Sequence, residues 1–191
     1  MKRPHLVDCD ITVVVRTCDD EERVGHVVAR IIRHLRAQEL SAEILVADEG
    51  SGDNTLAVAA MLKWSHPEIE FLHSEPNHGY SDACARARGR AIVLYDVRSD
   101  APLGPLGFAL ERLRAGLDVV AVGGRYLVFR RTTSWRAFDA LVQRRNQQLL
   151  ERRFLRRARG LGLKCTVTHP RRRTPWTILR DTFRFPLVAR P

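Results

Sequence analysis

The sequence predicts a single α/β domain with a mostly parallel, Rossmann-like sheet and helices on both faces. Three observations support this prediction. Five short apolar segments are separated by stretches with helical periodicity. Most of these segments are continuously apolar, which is typical of strands covered on both faces. The 191 residues are enough for one domain whose core needs neither disulfides nor a metal.

The five apolar segments are the predicted strands, and they end in polar loops. They span 11–15, 43–47, 69–73, 91–95 and 118–122. The segments between them have the length of helices rather than of hairpin turns. This alternation predicts parallel strands joined by right-handed crossovers.

Four helices are predicted between these strands, at 22–38, 54–64, 80–88 and 105–116. The first has one apolar face, formed by Val24, Val27, Val28, Ile31, Ile32 and Leu35. Asp53 and Ser51 are both candidates to cap the second helix. Gly116 is placed to end the fourth.

The sequence changes character after Val122. A further strand is predicted within 123–131, a long arginine-rich helical region at 134–159, and a strand at 164–169. A final helix is predicted from Thr174, with Trp176, Leu179 and Phe183 on one apolar stripe. Packing on the core and contact with a membrane surface both remain open for this stripe. Residues 1–191 are interpreted as one domain.

The charge is concentrated in the second half. Residues 125–191 carry 18 Lys and Arg against three acids, a net charge of +15, whereas 1–124 have a net charge of −5. This favours an anionic partner, namely nucleotide phosphates, a phospholipid surface or nucleic acid, although solvated helix faces remain an alternative. Few aromatic residues accompany the arginines and no nucleic-acid motif is found, so no specific nucleic-acid partner is expected.

The four cysteines form no CxxC pair, and the basic first residues are not followed by an apolar signal segment. The apolar runs are too short to span a bilayer. We therefore expect reduced thiols and a cytoplasmic location, with peripheral attachment to the inner membrane face as an open alternative.

Acidic loops follow three of the predicted strands, at 16–22, at 48–55 and at Asp96. Ligands of open parallel sheets bind outside the carboxyl ends of the strands. Carboxylates there can accept hydrogen bonds from a base and from sugar hydroxyls, so the three loops together favour a sugar nucleotide. Acids at such positions also cap helices, which is the simpler alternative for any single loop.

These loops carry the motifs of a known family. "VVVRTCDDEERV" is similar to V-V-I-P-T-Y-N-E-E-x-x-I, and "EILVADEGSGDNT" resembles E-I-I-V-V-D-D-G-S-T-D-x-T, both found in family-2 glycosyltransferases of the GT-A fold. "ARGRAIVLYDVRSD" resembles that family's A-R-G-D-x-I-x-F-L-D-A-D. The likeness covers most of the chain. It implies a nucleotide-binding half (1–124) and a basic, acceptor-side half (125–191) within the one domain.

The resemblance assigns roles to residues of these motifs. It places Thr17, Asp19 and Asp20 in the nucleotide-binding loop, and Asp96 as the first acid of the metal-binding D-x-D motif. From the second motif it takes Asp48 as the residue that contacts the base, followed by Gly50 and Ser51 in the same nucleotide-sugar site. It also implies a Mg²⁺ or Mn²⁺ ion.

Near the end of the chain, "LERRFLRRARGLG" resembles E-D-x-D-L-x-x-R-L-x-x-x-G. Aligning Arg157 and Gly162 with that pattern makes Glu151 the catalytic base. The implied reaction moves a sugar from a UDP- or GDP-type donor to an acceptor, with inversion at the anomeric carbon. The acceptor is unknown, with an anionic molecule such as a polyprenyl phosphate at a membrane surface as the candidate. For Glu151, a solvated helix glutamate paired with Arg152 or Arg156 stays an alternative.

The chain departs from the family at the metal site, because Arg98 stands where the second D-x-D acid is expected. An arginine there would repel a divalent ion and pair with Asp96, or it could contact the diphosphate in place of the metal. Asp100 offers a displaced acid, so weak metal binding by Asp96 and Asp100 remains open. The alternative is that Asp96 caps the following turn and Arg98 lies on the surface. A catalytically inactive GT-A-like binding or scaffold protein is therefore the rival hypothesis.

Overall fold

The computed structural model describes residues 9–99, 101–132 and 147–168. The strands are β1 (Ile11–Thr17), β2 (Ala42–Asp48), β3 (Ile69–His73), β4 (Ala91–Asp96), β5 (Val119–Val122), β6 (Tyr126–Arg130) and β7 (Cys165–Thr168). The helices are α1 (Glu21–Ala37), α2 (Thr55–Ser65), α3 (Gly79–Arg86), α4 (Pro105–Arg114) and α5 (Gln147–Gly160). A single 3₁₀ turn, Val97–Ser99, follows β4.

The described strands form one seven-stranded sheet in the order β3-β2-β1-β4-β6-β5-β7. Only β6 runs against its neighbours, β4 and β5, so the predicted mostly parallel sheet is confirmed. The chain moves outward from β1 to β2 and β3 and then returns to the other side of β1 as β4. This reversal of strand order lies between β1 and β4, where open α/β sheets bind their ligands.

Helices cover both faces of the sheet, as predicted. One apolar core lies under α1, α2 and α4, and the other lies under α3 and α5. All six residues of the predicted apolar face of α1 are buried. These residues therefore fix α1 against the sheet and with it the loop that precedes the helix.

Two details differ from the predictions and shape the site. β1 runs to Thr17 and β2 to Asp48, so both residues are the last of their strands rather than loop residues. β5 and β6 form a tight hairpin through Gly123 and Gly124, both at positive φ, which makes β6 antiparallel. The predicted helix from Thr174 lies outside the described residues, as does the part of the predicted arginine-rich helical region at 134–146. The division into a nucleotide-binding and an acceptor-side half stays a prediction.

In the parts of the chain described above, no helix is both long enough and apolar enough to cross a membrane.

Candidate functional site

The carboxyl ends of β1, β2 and β4 meet at one edge of the sheet. Thr17 at the end of β1 is in register with Asp48 of β2, and Arg16 of β1 is in register with Asp96 of β4. The three acidic loops predicted to share a site are therefore adjacent, at the reversal of strand order.

Arg16 lies at the centre of this edge. Its guanidinium donates to the Asp96 carboxylate, lies 3.8 Å from Glu49 Oε2 and is 5.4 Å from the centre of the Tyr80 ring. The side chains of Arg16 and Asp96 are only 11% and 12% exposed. Burial alone would lower the pKa of Arg16, but Tyr80 and the two carboxylates raise it above its ordinary value. Arg16 is thus a fixed, buried positive charge between two acids.

Glu49 and Tyr80 connect this charge to α3. Glu49 is 6% exposed, and its Oε1 accepts the backbone N–H of Gly79 at 3.1 Å. A Cβ on Gly79 would lie 3.0 Å from Glu49 Oε1, so the glycine allows the close approach of helix and carboxylate. Burial raises the pKa of Tyr80, whose hydroxyl therefore stays protonated.

Arg98 joins the end of β4 to the loop between β1 and α1. Its Nε donates to Asp20 Oδ1 at 2.7 Å, and its Nη2 donates to the carbonyls of Cys18 (2.5 Å) and Asp19 (3.3 Å). The expected pairing of Arg98 with Asp96 is therefore corrected, because the guanidinium that pairs with Asp96 belongs to Arg16. The backbone N–H of Arg98 does donate to Asp96 Oδ1 at 2.9 Å, so Asp96 caps the 3₁₀ turn as the alternative interpretation held. The Arg98 side chain is still 58% exposed.

Asp20 holds the β1–α1 loop in place. It is 2% exposed, and its Oδ2 accepts the N–H of Cys18 at 3.1 Å and lies 3.5 Å from the Thr17 hydroxyl. Asp19 has a positive φ of 52°, and its Oδ1 accepts the N–H of Gly52 at 2.7 Å. The β1–α1 and β2–α2 loops are thereby bonded to each other, with Asp19 exposed at the surface.

Asp48, the predicted base contact, has no exposed surface. Its carboxylate accepts both the N–H and the hydroxyl of Ser51, and His73 Nδ1 lies 3.5 Å from its Oδ2. Gly50 allows this turn through its positive φ of 80°. A direct contact between Asp48 and a base therefore requires Ser51 to move.

Glu151 lies at the same edge of the sheet, on α5. It is 8% exposed, so it is not the solvated helix glutamate of the alternative interpretation. Its Oε2 accepts the N–H of Gly124 at 2.5 Å, in the β5–β6 hairpin turn. Tyr126 of β6 is in register with Tyr95 of β4, so this turn stands beside the end of β4 and next to Asp96.

The described residues at this edge do not fit a divalent cation. Mg²⁺ and Mn²⁺ take oxygen ligands, and beside phosphates and waters they need one or two free carboxylates. The Asp96 carboxylate is instead paired with the Arg16 guanidinium and accepts the backbone N–H of Arg98. Within residues 9–99, 101–132 and 147–168, no group of three or more His, Cys, Asp or Glu is placed to hold a metal ion. Asp100, the predicted displaced ligand, lies outside the described residues.

The sequence-based interpretation missed Arg16, Glu49 and Tyr80. A signal for Arg16 was present, because it stands where the family motif V-V-I-P-T has proline. Its partner could not be found from the sequence alone, since 80 residues separate it from Asp96 and only the strand order brings the two together.

Comparison with known proteins gives a family and a fold. The family model described as "Glycosyl transferase family 2" matches residues 12–175. An uncharacterized glycosyltransferase of Synechocystis is 24% identical over 115 residues, which are 58% of this chain and 36% of that protein. A dolichyl-phosphate beta-glucosyltransferase of Trichomonas vaginalis is 28% identical over 94 residues, 44% of this chain and 28% of that protein. The chain thus spans about a third of the length of these relatives.

Solved structures share the fold at low identity. A mannosyltransferase from Pyrobaculum calidifontis, in complex with GDP-Man and Mn²⁺, superposes with a TM-score of 0.62 at 16% identity, covering 90% of this chain and 61% of that one. Glucosyl-3-phosphoglycerate synthase from Mycobacterium tuberculosis, in complex with Mn²⁺, UDP and glucosyl-3-phosphoglycerate, has a TM-score of 0.57 at 16% identity, covering 94% and 81%. The predicted GT-A type of fold is confirmed.

Proposed function

Because the chain belongs to glycosyl transferase family 2, we propose that it transfers a sugar from a UDP- or GDP-type donor to an acceptor. The observation that carries this proposal is the convergence of the β1, β2 and β4 loops at the reversal of strand order. That edge combines acids able to bind a nucleoside with an exposed arginine able to bind a diphosphate.

The nucleoside would occupy the surface formed by the β1–α1 and β2–α2 loops. Asp19 is exposed there, and Ser51 covers the Asp48 carboxylate. Rotation of Ser51 away from Asp48 would open a carboxylate that accepts hydrogen bonds from a base. Thr17, Asp20 and Gly50 would support this surface by holding the two loops in position.

Arg98 is the residue proposed to bind the leaving diphosphate. Its side chain is more than half exposed, and its guanidinium has two carbonyls and one carboxylate as partners. A diphosphate carries more negative charge than the Asp20 carboxylate, and it can accept two hydrogen bonds from the Arg98 guanidinium. If the Arg98 guanidinium moved from Asp20 to the diphosphate, its positive charge would stabilise the negative charge that grows on the leaving diphosphate during transfer.

Glu151 is the proposed base. The acceptor oxygen would form a bond to the anomeric carbon while the bond from that carbon to the diphosphate breaks, which inverts the configuration. For a hydroxyl or a singly ionised phosphate acceptor, the proton of the attacking O–H would pass to the Glu151 carboxylate, and the electron pair of the broken bond would leave with the diphosphate. The hydrogen bond from Gly124 keeps this carboxylate at the edge where the acceptor would enter.

An anionic lipid is the proposed acceptor. The half 125–191 has a net charge of +15, which favours attraction to a negatively charged membrane surface. One relative carries the name dolichyl-phosphate beta-glucosyltransferase, which supports a polyprenyl phosphate as the acceptor. The basic half would attach the protein peripherally to the inner membrane face.

A catalytically inactive nucleotide-binding or scaffold protein is the second candidate. The specific observation in its favour is that Asp20, Asp48, Glu49 and Asp96 all accept hydrogen bonds from the chain itself. Such a network would hold the loops together without a ligand.

A transfer assay separates the two candidates. The protein is incubated with UDP- and GDP-sugars and with vesicles that contain a polyprenyl phosphate, and the released nucleoside diphosphate is measured. Release that depends on the acceptor supports the transferase. Nucleotide binding without any release, with or without Mn²⁺, would support the inactive candidate.

A further inference from the structure

Asp96 holds the position of the first acid of the D-x-D motif, and its positive partner is part of the chain. The Arg16 guanidinium lies against the Asp96 carboxylate, in register across β1 and β4. The other Asp96 oxygen accepts the N–H of Arg98. Each Asp96 oxygen therefore has a donor before any ligand arrives, and one of these donors is a charged guanidinium that neutralises the carboxylate.

Arg16 is held in this place from three sides. Glu49 contributes a second carboxylate at 3.8 Å and is itself fixed by the Gly79 N–H, while the Tyr80 ring packs against the guanidinium. Arg16, Glu49 and Asp96 are nearly inaccessible to water. Removing one partner of a buried ion pair is strongly unfavourable, because the other charge stays behind unpaired. Arg16 is thus a permanent feature of the site rather than a side chain that moves aside.

A divalent cation at Asp96 would have to displace this guanidinium or bind next to it. The first leaves the buried Arg16 with only the more distant Glu49 carboxylate, and the second places like charges a few ångströms apart. Arg98, at the position of the second acid, adds a further positive charge to the same edge.

We infer that Arg16 takes the place of the divalent cation at Asp96, so that this chain binds its nucleoside diphosphate without a metal. The statement about the nucleotide rests on the proposed function, whereas the statement about the metal does not. Arg16 supplies the buried charge that keeps Asp96 neutralised, and the more exposed Arg98 supplies the charge that contacts the diphosphate.

The metal part is tested with Mn²⁺ alone, by electron paramagnetic resonance and by thermal unfolding with and without the ion. Arg16→Met frees Asp96 and Glu49, and it should gain Mn²⁺ binding and a Mn²⁺-dependent rise in Tm. Wild type and Arg16→Lys, which keeps the charge, should show neither. Arg36→Met is the matched control, because it removes a guanidinium from Glu68 on the exposed surface (2.7 Å) and should not gain Mn²⁺ binding.

Binding of Mn²⁺ to the wild-type protein as tight as to Arg16→Met would overturn the inference. The same holds if Arg16→Met is folded and does not bind Mn²⁺. Arg16→Met could be unfolded in the absence of metal. In that case the inference predicts that Mn²⁺ restores the folded state, and a variant that stays unfolded with Mn²⁺ would contradict the inference.

The nucleotide part is tested by titrating wild-type protein with UDP and GDP in Mn²⁺ and in EDTA. Equal affinities, within about twofold, support the inference. Binding that requires Mn²⁺ would overturn the inference and leave the proposed function standing. No binding in either solution would remove the proposed function, while the Mn²⁺ experiment would still decide the role of Arg16.

Discussion

Arg16 and Asp96 form a buried ion pair across β1 and β4 at the reversal of strand order. In the family that the chain resembles, the position of Asp96 belongs to the metal-binding motif and that of Arg16 to proline. The two departures, Arg16 and Arg98, are 82 residues apart in sequence, and Asp96 accepts from the guanidinium of Arg16 and from the backbone N–H of Arg98. The Arg98 guanidinium is bonded to Asp20, so the two arginines bring positive charge to two different acids of the same edge.

Glu151→Gln tests the proposed base. The glutamine carbonyl can still accept the Gly124 N–H, so the fold and the nucleotide affinity should be unchanged. Since Gln cannot take up a proton, the rate of sugar transfer should fall by about 100-fold or more. Steady-state kinetics of nucleoside diphosphate release measure the effect, with Glu111→Gln at an exposed site on α4 as the control. A transfer rate equal to that of wild type would exclude Glu151 as the base.

Gly89 should be required for the packing of β1 against the segment that leads into β4. A Cβ at this position would lie 2.2 Å from the backbone nitrogen of Thr12 and 2.4 Å from the carbonyl carbon of Ile11. Gly89→Ala should therefore lower the free energy of unfolding by about 3 kcal/mol in urea denaturation. Gly104→Ala, where no atom lies within 4 Å of the added Cβ, should leave it nearly unchanged. Equal stability of the two variants would contradict the close approach.

His34 should make the protein less stable in mild acid. Burial lowers the pKa of His34 below its ordinary value of 6.5, so the unfolded chain takes up this proton at a higher pH than the folded one. Its contribution to stability is therefore present above pH 6.5 and is lost as the pH falls through the lower, folded-state pKa. His34→Gln should flatten the decline in the free energy of unfolding across this window. His26→Gln, at an exposed site of the same helix, is the control. If the free energy of unfolding falls equally with pH in wild type and in His34→Gln, the assignment to His34 is wrong.

The sequence predicted the order of elements well. Continuous apolar runs and the six-residue apolar face of α1 are local patterns, and they arise because these residues are buried in the core. The antiparallel direction of β6 depends on the tight Gly123–Gly124 hairpin, and a strand pattern does not reveal direction. For the site, the motifs identified Asp20, Asp96 and Glu151, whose neighbours in the sequence carry the resemblance. The partners of these residues, Arg98, Arg16 and Gly124, come from distant segments, and only the tertiary fold determines them.

Arg98→Ala tests the proposed contact with the diphosphate. Loss of a charged, bidentate donor should weaken nucleotide binding by about 10- to 100-fold. Arg23→Ala is a matched control, since Arg23 also pairs with Asp20 (3.4 Å) and is similarly exposed, but projects from α1. Titration calorimetry compares the two variants. If both variants lose the same nucleotide affinity, binding depends on how Asp20 holds the β1–α1 loop and not on a contact between Arg98 and the diphosphate.

The most direct test of the central claim is calorimetric titration of the folded wild-type protein with UDP, GDP and their sugar derivatives. The account predicts that one nucleotide binds, with the same affinity in EDTA and in Mn²⁺, and that its sugar derivative competes for the same site. If no nucleotide binds in either solution, the edge formed by β1, β2 and β4 is not a donor site, and the account is wrong.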